Sequence, residues 1–455
     1  MRYLLEDSQP SAAARVAEQC RAVQWWCEAL GGLVRHVEQD YAGADSLFSA
    51  ALAAMPDDER CRWNDISSLL EGDLAKRYRE LDCAGRAAFE AHWWWLAQPM
   101  YSLPANDRWT EHLARETMVR IEQGRRTTLG LYWEDDLRDV LLRYGWPTWW
   151  TREPPTSPLV ESEPRITGHD PSPAFGFTPS VLAFDEPANT RPEDWSLDPP
   201  QARERYAPAY AKAFGYLDHQ AAAFRRGDSC VMVAAFDLSE NTLFADRPAR
   251  AALALAPDER TLIVARDSGP ATGTRALRAT APCAPLLVSL EAVAPGERHA
   301  ARARYGVQLA PRAEWRPAIS DLLLFAAGDS LPADLDAALP HALGSTRVPA
   351  TRKLGVFWEL YGVDPADGAV DVSLTMTRRG EGWLRRAAES LGLAASRQDV
   401  RLEWREVPEA PRLAPRALAV DLSGLAPGRY IIEVSVTATG GQTVTARREL
   451  SIERG

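Results

Sequence analysis

Between residues 11 and 125, apolar side chains recur at intervals of three and four among alanine, leucine, glutamate and arginine. That is the period of helices that turn one face inward. Beyond about residue 205 the pattern changes to short β-rich runs separated by turn residues. The first set is SCVMVAAFDL, ARAALALA, RTLIVAR, PLLVSLEAV and ARARYGVQL. The second is LGVFWELYGV, AVDVSLTMTR, DVRLEWREV, RALAVDL, GRYIIEVSVTA and QTVTARRELSI. Strand lengths and turn spacing predict two tandem antiparallel sandwiches. Between the two regimes, residues 153–200 hold eleven prolines and almost no periodicity. Such a stretch is an extended linker or a strap laid over a surface. Its isolated aromatics, Phe175, Phe177, Phe184 and Trp195, point to docking of parts of it.

An internal repeat supports two copies of one β module. Leu286, Val288, Leu290, Val293, Ala294, Pro295 and Gly296 align without gaps to Leu418, Val420, Leu422, Leu425, Ala426, Pro427 and Gly428. The shared pattern is an alternating strand, an apolar anchor and an Ala-Pro-Gly turn into the next strand. Tyr430 stands where it could brace that turn like a tyrosine corner, whereas Arg298 takes the place in the first copy. Residues 382–393, GWLRRAAESLGL, read as an amphipathic insertion with Trp383, Leu384, Ala387 and Leu391 on one side. Sheet cover is the ordinary role of such a face, and a partner surface the other.

In the helical region Asn106 or Asp107 is a good N-cap for a helix running to Gly124. Further helices are expected at about 58–71 and 84–97. Gly32, Ala44, Phe48, Ala51 and Pro56 fall at the spacing of the small, aromatic and proline positions of a tetratricopeptide repeat. This resembles one such repeat: the small residues let two helices approach, Phe48 fills the gap and Pro56 stops the second helix. A generic helical bundle accounts for the pattern equally well.

Eight of the sixteen tryptophans lie between Trp93 and Trp150. Trp93, Trp94 and Trp95 on a helix point about 100° apart, so they cannot form one flat platform. At least one is expected in the core and another at a domain contact, core packing being the default for most of these rings. Trp146, Trp149 and Trp150 bracket Pro147 just before the proline-rich stretch and are the candidates for an interaction surface. Leu137, Val140, Leu141 and Tyr144 have helical spacing, ended by Gly145-Trp146-Pro147. The order Trp94, Trp95, Pro99, then Pro104-Ala105-Asn106-Asp107, a helix, Trp133-x-x-Asp136 and Arg143-Tyr144-Gly145-x-Pro147 resembles the bacterial GWxTD-domain family. Ile319 to Phe325 and Leu354 to Gly362 also resemble segments of that family. Tyr132 stands where the motif has glycine, and Asp135 where it has threonine. The resemblance implies a short strand at 139–144, against the helical spacing. Family members are typically envelope-associated and of unknown biochemical role.

The expected architecture is therefore multidomain α + β. A tetratricopeptide-like helical region at 1–88 leads to a Trp-rich GWxTD-like segment at 89–152 and a Pro-rich linker or strap at 153–204. Ig-like β-sandwiches follow at 205–330 and 350–455.

Composition narrows the function classes. The net charge of −11 disfavours nucleic acid and anionic lipid as partners. The opening MRYLLEDSQP lacks the apolar core of a signal peptide, and no segment has the roughly 18 apolar residues of a membrane helix. A cytoplasmic location is the expectation as written, with periplasm or envelope the alternative if a signal precedes this chain. Cys20 and Cys27, taken as two turns of one helix, would lie about 10.5 Å apart, too far for a disulfide. The six cysteines, at 20, 27, 61, 83, 230 and 283, form no CxxC pair, so buried free thiols are expected and no zinc site.

The run Glu134, Asp135, Asp136 and Asp139 invites a metal or acid–base reading. Acids in a first helical turn, interleaved with Arg138 and Arg143, explain it without a ligand. No nucleophile elbow, HExxH, phosphate loop or Cys/His pairing is present, and His92 and His112 read as packing or solvated residues. No catalytic residue, metal or cofactor is expected. The leading reading is a non-enzymatic protein-interaction or scaffold protein with a protein partner. The alternative is a carbohydrate- or peptidoglycan-binding envelope protein.

Overall fold

A computed structural model describes residues 1–123, 133–146, 149–153, 165–169, 174–198, 204–245, 247–267, 273–309, 316–350, 353–363, 368–379, 400–408 and 412–454. They fall into two compact units. The first joins Met1–Gly215 with Asp258–Leu262 and Pro295–Val307; the second holds Tyr216–Pro257, Ile263–Ala294 and Gln308–Gly455.

The first unit opens with α1 (Arg2–Glu6), α2 (Pro10–Glu18), α3 (Gln24–Val37), α4 (Tyr41–Ala54), α5 (Asp57–Trp63), α6 (Gly72–Arg79), α7 (Cys83–Ala97), α8 (Asp107–Glu122) and α9 (Asp135–Tyr144). Capping places several starts. Asp40, Asp82 and Asn106 accept from the backbone N–H of Gly43, Gly85 and Trp109 at 3.0, 2.8 and 3.2 Å. The anticipated cap at Asn106 is thus in place, whereas Gly124 lies outside the described residues. The helix expected over about 58–71 is shorter: α5 ends at Trp63, 64–71 is non-helical, and α6 begins only at Gly72. α3 and α4 pack as a hairpin. A Cβ on Gly32 would fall 2.8 Å from the Phe48 ring, so glycine sets how closely the two helices approach. Ala29, Leu33, Ala44, Phe48, Trp63 and Leu113 form the core around them.

Two expectations need correction here. The strand that the GWxTD resemblance implies at 139–144 is helix, as the spacing of Leu137, Val140, Leu141 and Tyr144 requires. Leu141 and Leu142 are buried, and Gly145, at φ +80°, ends α9 by donating its N–H to Leu141 O at 2.8 Å. The strand comes later: β1 (Trp149–Glu153) pairs antiparallel with β2 (Arg165–His169). The cysteines also pair, as Cys20–Cys27, Cys61–Cys83 and Cys230–Cys283, so none is a free thiol. Cys20 and Cys27 do not share a helix. α2 stops at Glu18 and α3 begins at Gln24, and the turn between them brings the two Cα atoms to 5.6 Å.

Beyond β2, residues 174–198 of the proline-rich stretch are a docked strap. α10 (Val181–Asp185), capped by Ser180, sets Phe184 against Phe89 and His92 at ring distances of 4.5 and 4.6 Å. Arg77 pairs with Asp185 at 2.8 Å, and Phe175 bridges Tyr206. Trp195 is buried and donates its indole N–H to Thr190 Oγ1 at 3.0 Å. The strap leads into β3 (Ala213–Tyr216).

In the second unit come β4 (His219–Arg226), β5 (Ser229–Asp237), β6 (Arg250–Ala256), β7 (Ile263–Arg266), β8 (Thr274–Pro282) and β9 (Leu286–Ala294). One sheet has the order β4-β5-β8, and β6 pairs with both β7 and β9. β10 (His299–Val307) belongs to the first unit, where it pairs with β3. Then follow β11 (Ala318–Ile319), β12 (Leu323–Ala326), α11 (Leu335–Ala338), β13 (Arg347–Pro349), β14 (Lys353–Tyr361), β15 (Val370–Arg379), β16 (Val400–Glu406), β17 (Leu413–Asp421), β18 (Gly428–Thr437) and β19 (Thr443–Glu453). β11, β12 and β17 all pair with β14, and the second sheet runs β13-β19-β18-β15-β16. Leu354, Val356, Trp358 and Leu360 alternate inward from β14 to meet Val372, Leu374 and Met376 of β15 and Ile432, Val434 and Val436 of β18. Tyr430 is the brace its position predicts, donating to Ala426 O at 2.7 Å. The amphipathic stretch at 382–393 lies outside the described residues.

The two β modules share a core within this unit. Phe224, Val233 and Ala235 pack with Leu323, Phe325 and Phe357. Beside them the buried Gln220 accepts from Leu324 N–H at 3.0 Å and donates to the carbonyls of Leu324 and Leu343 at 2.7 and 2.5 Å. Arg226 forks onto Glu359 at 2.7 and 2.9 Å.

Candidate functional site

α8 departs from the usual surface helix: eleven of its sixteen residues are buried, and Asp107, Arg108, His112, Arg115, Glu116 and Glu122 are among them. Charge in an interior must be partnered. Asp107 accepts from the hydroxyls of Tyr206 and Tyr210 at 2.5 and 3.5 Å, and burial pushes its carboxyl up to about 6. Arg108 donates to Glu204, which also accepts from Thr178, and its guanidinium lies 5.5 Å from the Trp94 ring centroid. His36 joins Thr110 at 3.0 Å and Glu111 at 2.6 Å. Burial opposes ionisation of Glu111, yet Arg115 and His36 hold its carboxyl well below the usual range. Arg115 also donates to the carbonyls of Leu142, Arg143 and Arg205. His112 packs against Trp94 at 5.2 Å, and burial together with Arg108, Arg115 and Arg138 keeps its imidazole neutral. These groups fasten α8 to α3, α9 and the strap.

Among the described residues of this unit, two clefts bear on function. The larger, about 430 Å³, is lined by Glu59, Arg62, Trp63, Asp65, Glu116, Arg120, Trp133, Glu134, Asp135 and Arg138, among others. Its arginines are paired: Arg62 and Arg120 with Glu59 at 2.5 and 3.7 Å, and Arg138 with Glu116 at 2.9 Å. The acidic run therefore lies as its helix-start reading requires, with Glu134 at the N-cap and Asp135 and Asp136 in the first turn. Among the described residues no group of three or more histidine, cysteine or acidic side chains is placed to hold a metal ion.

The smaller cleft, about 350 Å³, lies between α4, α7 and the start of α8. Trp94 and Glu90 are its buried lining groups, Trp109, Asp45 and Asn64 are half-buried, and Ser49, Ala87 and Ala91 are exposed. Glu90 accepts from the Tyr78 hydroxyl at 2.5 Å, and burial raises its carboxyl to about 7. Asp45 is also raised by burial. Sequence reading missed this site because its residues come from four elements with no motif spacing. The one local signal is Glu90 itself, an acid three and four positions before Trp93 and Trp94 on an otherwise apolar helix face.

Of the predicted surface residues, Trp146 is half-buried, stacks on Trp133 at 5.9 Å and lies under Arg2 at 5.4 Å, at the margin of the helical core. Trp149 and Trp150 occupy β1, paired with His169 and Gly168; their side chains lie outside the described residues. His92 is bonded to Glu259 and to Phe184 O. Among the described residues no helix is long and apolar enough to cross a membrane.

Glu116 offers a pH test. Burial pushes its carboxyl up to about 7, so the folded state binds the proton more tightly than the unfolded chain. Its stabilising effect is complete below the unfolded value and is lost as pH rises through about 7. Glu116→Gln should therefore raise the melting temperature by a few degrees at pH 8 and leave it nearly unchanged at pH 4. A gain of the same size at both pH values in calorimetry would refute this.

No family profile matches the sequence, and no curated protein matches it. Solved structures match over about half of the chain. One is a tetra-tandem repeat in the extending region of a large adhesion protein, 12% identical with a TM-score of 0.16, covering 52% of this chain and 49% of that one. Red sea bream transglutaminase is 10% identical at 0.15, covering 52% and 31%. The FN1-FN3 domains of chicken CNTN1 are 11% identical at 0.18, covering 53% and 68%. The chain thus spans half or less of the length of the first two. Scores this low carry no argument; the β-sandwich is read from its own strand pairing.

Proposed function

We propose that this chain is a non-enzymatic protein-interaction or scaffold protein working in an oxidising compartment. The observation that carries the reading is where the ionisable groups go. Asp107, Arg108, Glu111 and Arg115 are spent joining helices to one another and to the strap. A catalyst needs such groups facing a substrate. The pairing of all six cysteines supports the compartment, since disulfides persist outside the reducing cytosol. Kinship with the GWxTD-domain family, and the likeness of the α3–α4 hairpin to a tetratricopeptide repeat, belong to this proposal; close packing at Gly32 supports the second.

A second reading is favoured by one observation, the tryptophan-lined cleft between α4, α7 and α8: a carbohydrate- or peptidoglycan-binding envelope protein. The experiment is purification of the tagged chain from its native cells after thiol blocking, followed by cross-linking and a polysaccharide pull-down. The scaffold reading expects one stoichiometric protein partner and six unmodified cysteines. Retention on polysaccharide without a protein partner would replace it with the second reading, and blocked cysteines would remove the compartment.

A further inference from the structure

The three disulfides stand in different surroundings. Cys230–Cys283 ties β5 to the residue after β8, and its two ends are 2% and 6% exposed. Cys20–Cys27 spans seven positions at the turn before α3, so opening it frees only that turn. Both of its residues are half-buried, and Cys27 Sγ lies 3.7 Å from Ala22 O within the turn. Cys61–Cys83 spans 22 positions and joins α5 to the first residue of α7. Cys61 is half-buried, whereas Cys83 is the one exposed cysteine of the six. A thiolate in solution therefore meets this bond first.

The position of Cys83 favours exchange at the same bond. It opens a helix of 15 residues, whose first-turn N–H groups favour negative charge. Asp82 accepts from one of them, that of Gly85, and works against a second charge there. Thiol exchange is faster the better the departing thiolate is stabilised, and a helix N-terminus stabilises one. Opening the bond would leave the surrounding core standing. α5 is pinned before its start by Met55 and at its end by Trp63, 4% and 5% exposed in the helical core. Beyond it Asp65 pairs with Arg86 at 3.3 Å. Glu59, Arg62 and Trp63 line the larger cleft, so α5 is part of that cleft's wall.

We propose that Cys61–Cys83 is a reducible latch: a dithiol reductant opens it in the folded chain, and its opening loosens α5 at the wall of the larger cleft. This goes beyond the scaffold reading and needs only the pairing of the cysteines. One thiolate of the reductant attacks Cys83 Sγ; a mixed disulfide forms, the Cys61–Cys83 bond breaks, and Cys61 leaves as a thiolate that takes a proton from water. The reductant's second thiolate then displaces Cys83, which departs at the positive end of α7 and is protonated in turn. Two electrons and two protons pass to this chain, and the reductant ends as a disulfide.

The test starts from the purified, oxidised full chain, treated with rising dithiothreitol, alkylated with N-ethylmaleimide and mapped by peptide mass. Cys61 and Cys83 should be labelled at doses at least about tenfold below those that label Cys20 and Cys27. Cys230 and Cys283 should stay unlabelled until the chain unfolds. At the dose that opens the latch, hydrogen exchange should rise severalfold across α5 and stay unchanged across α8. Earlier opening of Cys20–Cys27, or loss of all three bonds together on global unfolding, would overturn the proposal. So would labelling of Cys61 and Cys83 that leaves exchange in α5 unaltered. The double variant Cys61→Ala with Cys83→Ala should show the faster α5 exchange without reductant. Should that variant fail to fold, reduction of the native chain still decides.

Discussion

Replacing Glu204 with alanine should cost about 3–5 kcal/mol, because it strands a buried guanidinium. Arg108 is 0% exposed and Glu204 2%, and the carboxylate is also the acceptor for Thr178 at the other end of the strap. Loss of the pair therefore removes a tie between α8 and the strap as well as a charge balance. Urea unfolding measures the first effect, and cleavage between Phe175 and Leu197 by a broad protease measures the second. Both should change together. Converting the pair to apolar residues of similar size, Arg108→Met with Glu204→Leu, should recover most of the stability, since buried ion pairs are commonly replaceable by packing. If Glu204→Ala left stability and protease resistance unaltered, the strap would be held by Phe184 and Trp195 without need of the pair.

Trp93→Ala should be of similar size, about 3–5 kcal/mol as for other large core truncations. Trp93 is fully buried, with its ring edge-on to Trp94 at 4.6 Å. Its indole N–H is without a partner, so Trp93→Phe, which keeps a ring and removes that donor, should cost much less than the alanine. Trp146→Ala should fall well below Trp93→Ala, because Trp146 is half-buried at the core margin. Equal losses for Trp93→Ala and Trp146→Ala in denaturant melts would show that both rings are core, and would withdraw Trp146 as a surface anchor.

What the sequence made legible was whatever repeats over a few residues. The helical third, the Asn106 cap, the Tyr430 brace and the alternating strands from Lys353 to Glu453 all follow from local period or from one residue at a fixed offset. β4 and β8 escaped because HQAAAFRR and TRALRATAP are built from alanine and arginine, with hardly a β-branched residue to mark them. Their partners decide them: β5 pairs with one along each edge. The cysteine pairing escaped for a related reason. A helix period run through residues 19–23 hid the break that folds Cys20 back to Cys27. At α9 two signals disagreed, and the periodicity of Leu137, Val140, Leu141 and Tyr144 outweighed the family resemblance. Nothing local announces contacts such as Arg108 to Glu204, 96 positions apart. The cleft holding Asp45, Asn64, Glu90 and Trp94 is assembled in the same long-range way.

The first unit is completed by a segment far from its start. Arg302 and Arg304 on β10 donate to the carbonyls of Pro99 and Gln98 at 2.8 Å, at the end of α7. Arg304 also covers Tyr101 at 3.8 Å. During synthesis these arginines leave the ribosome some 200 residues after the carbonyls they bind. The nascent helices must wait, with the α7 terminus uncapped, while the strap and the first β module emerge. A chain truncated after residue 152, or even after 215, would lack this closure. A recombinant fragment meant to isolate the helices should therefore extend through Val307 or supply that strand in trans.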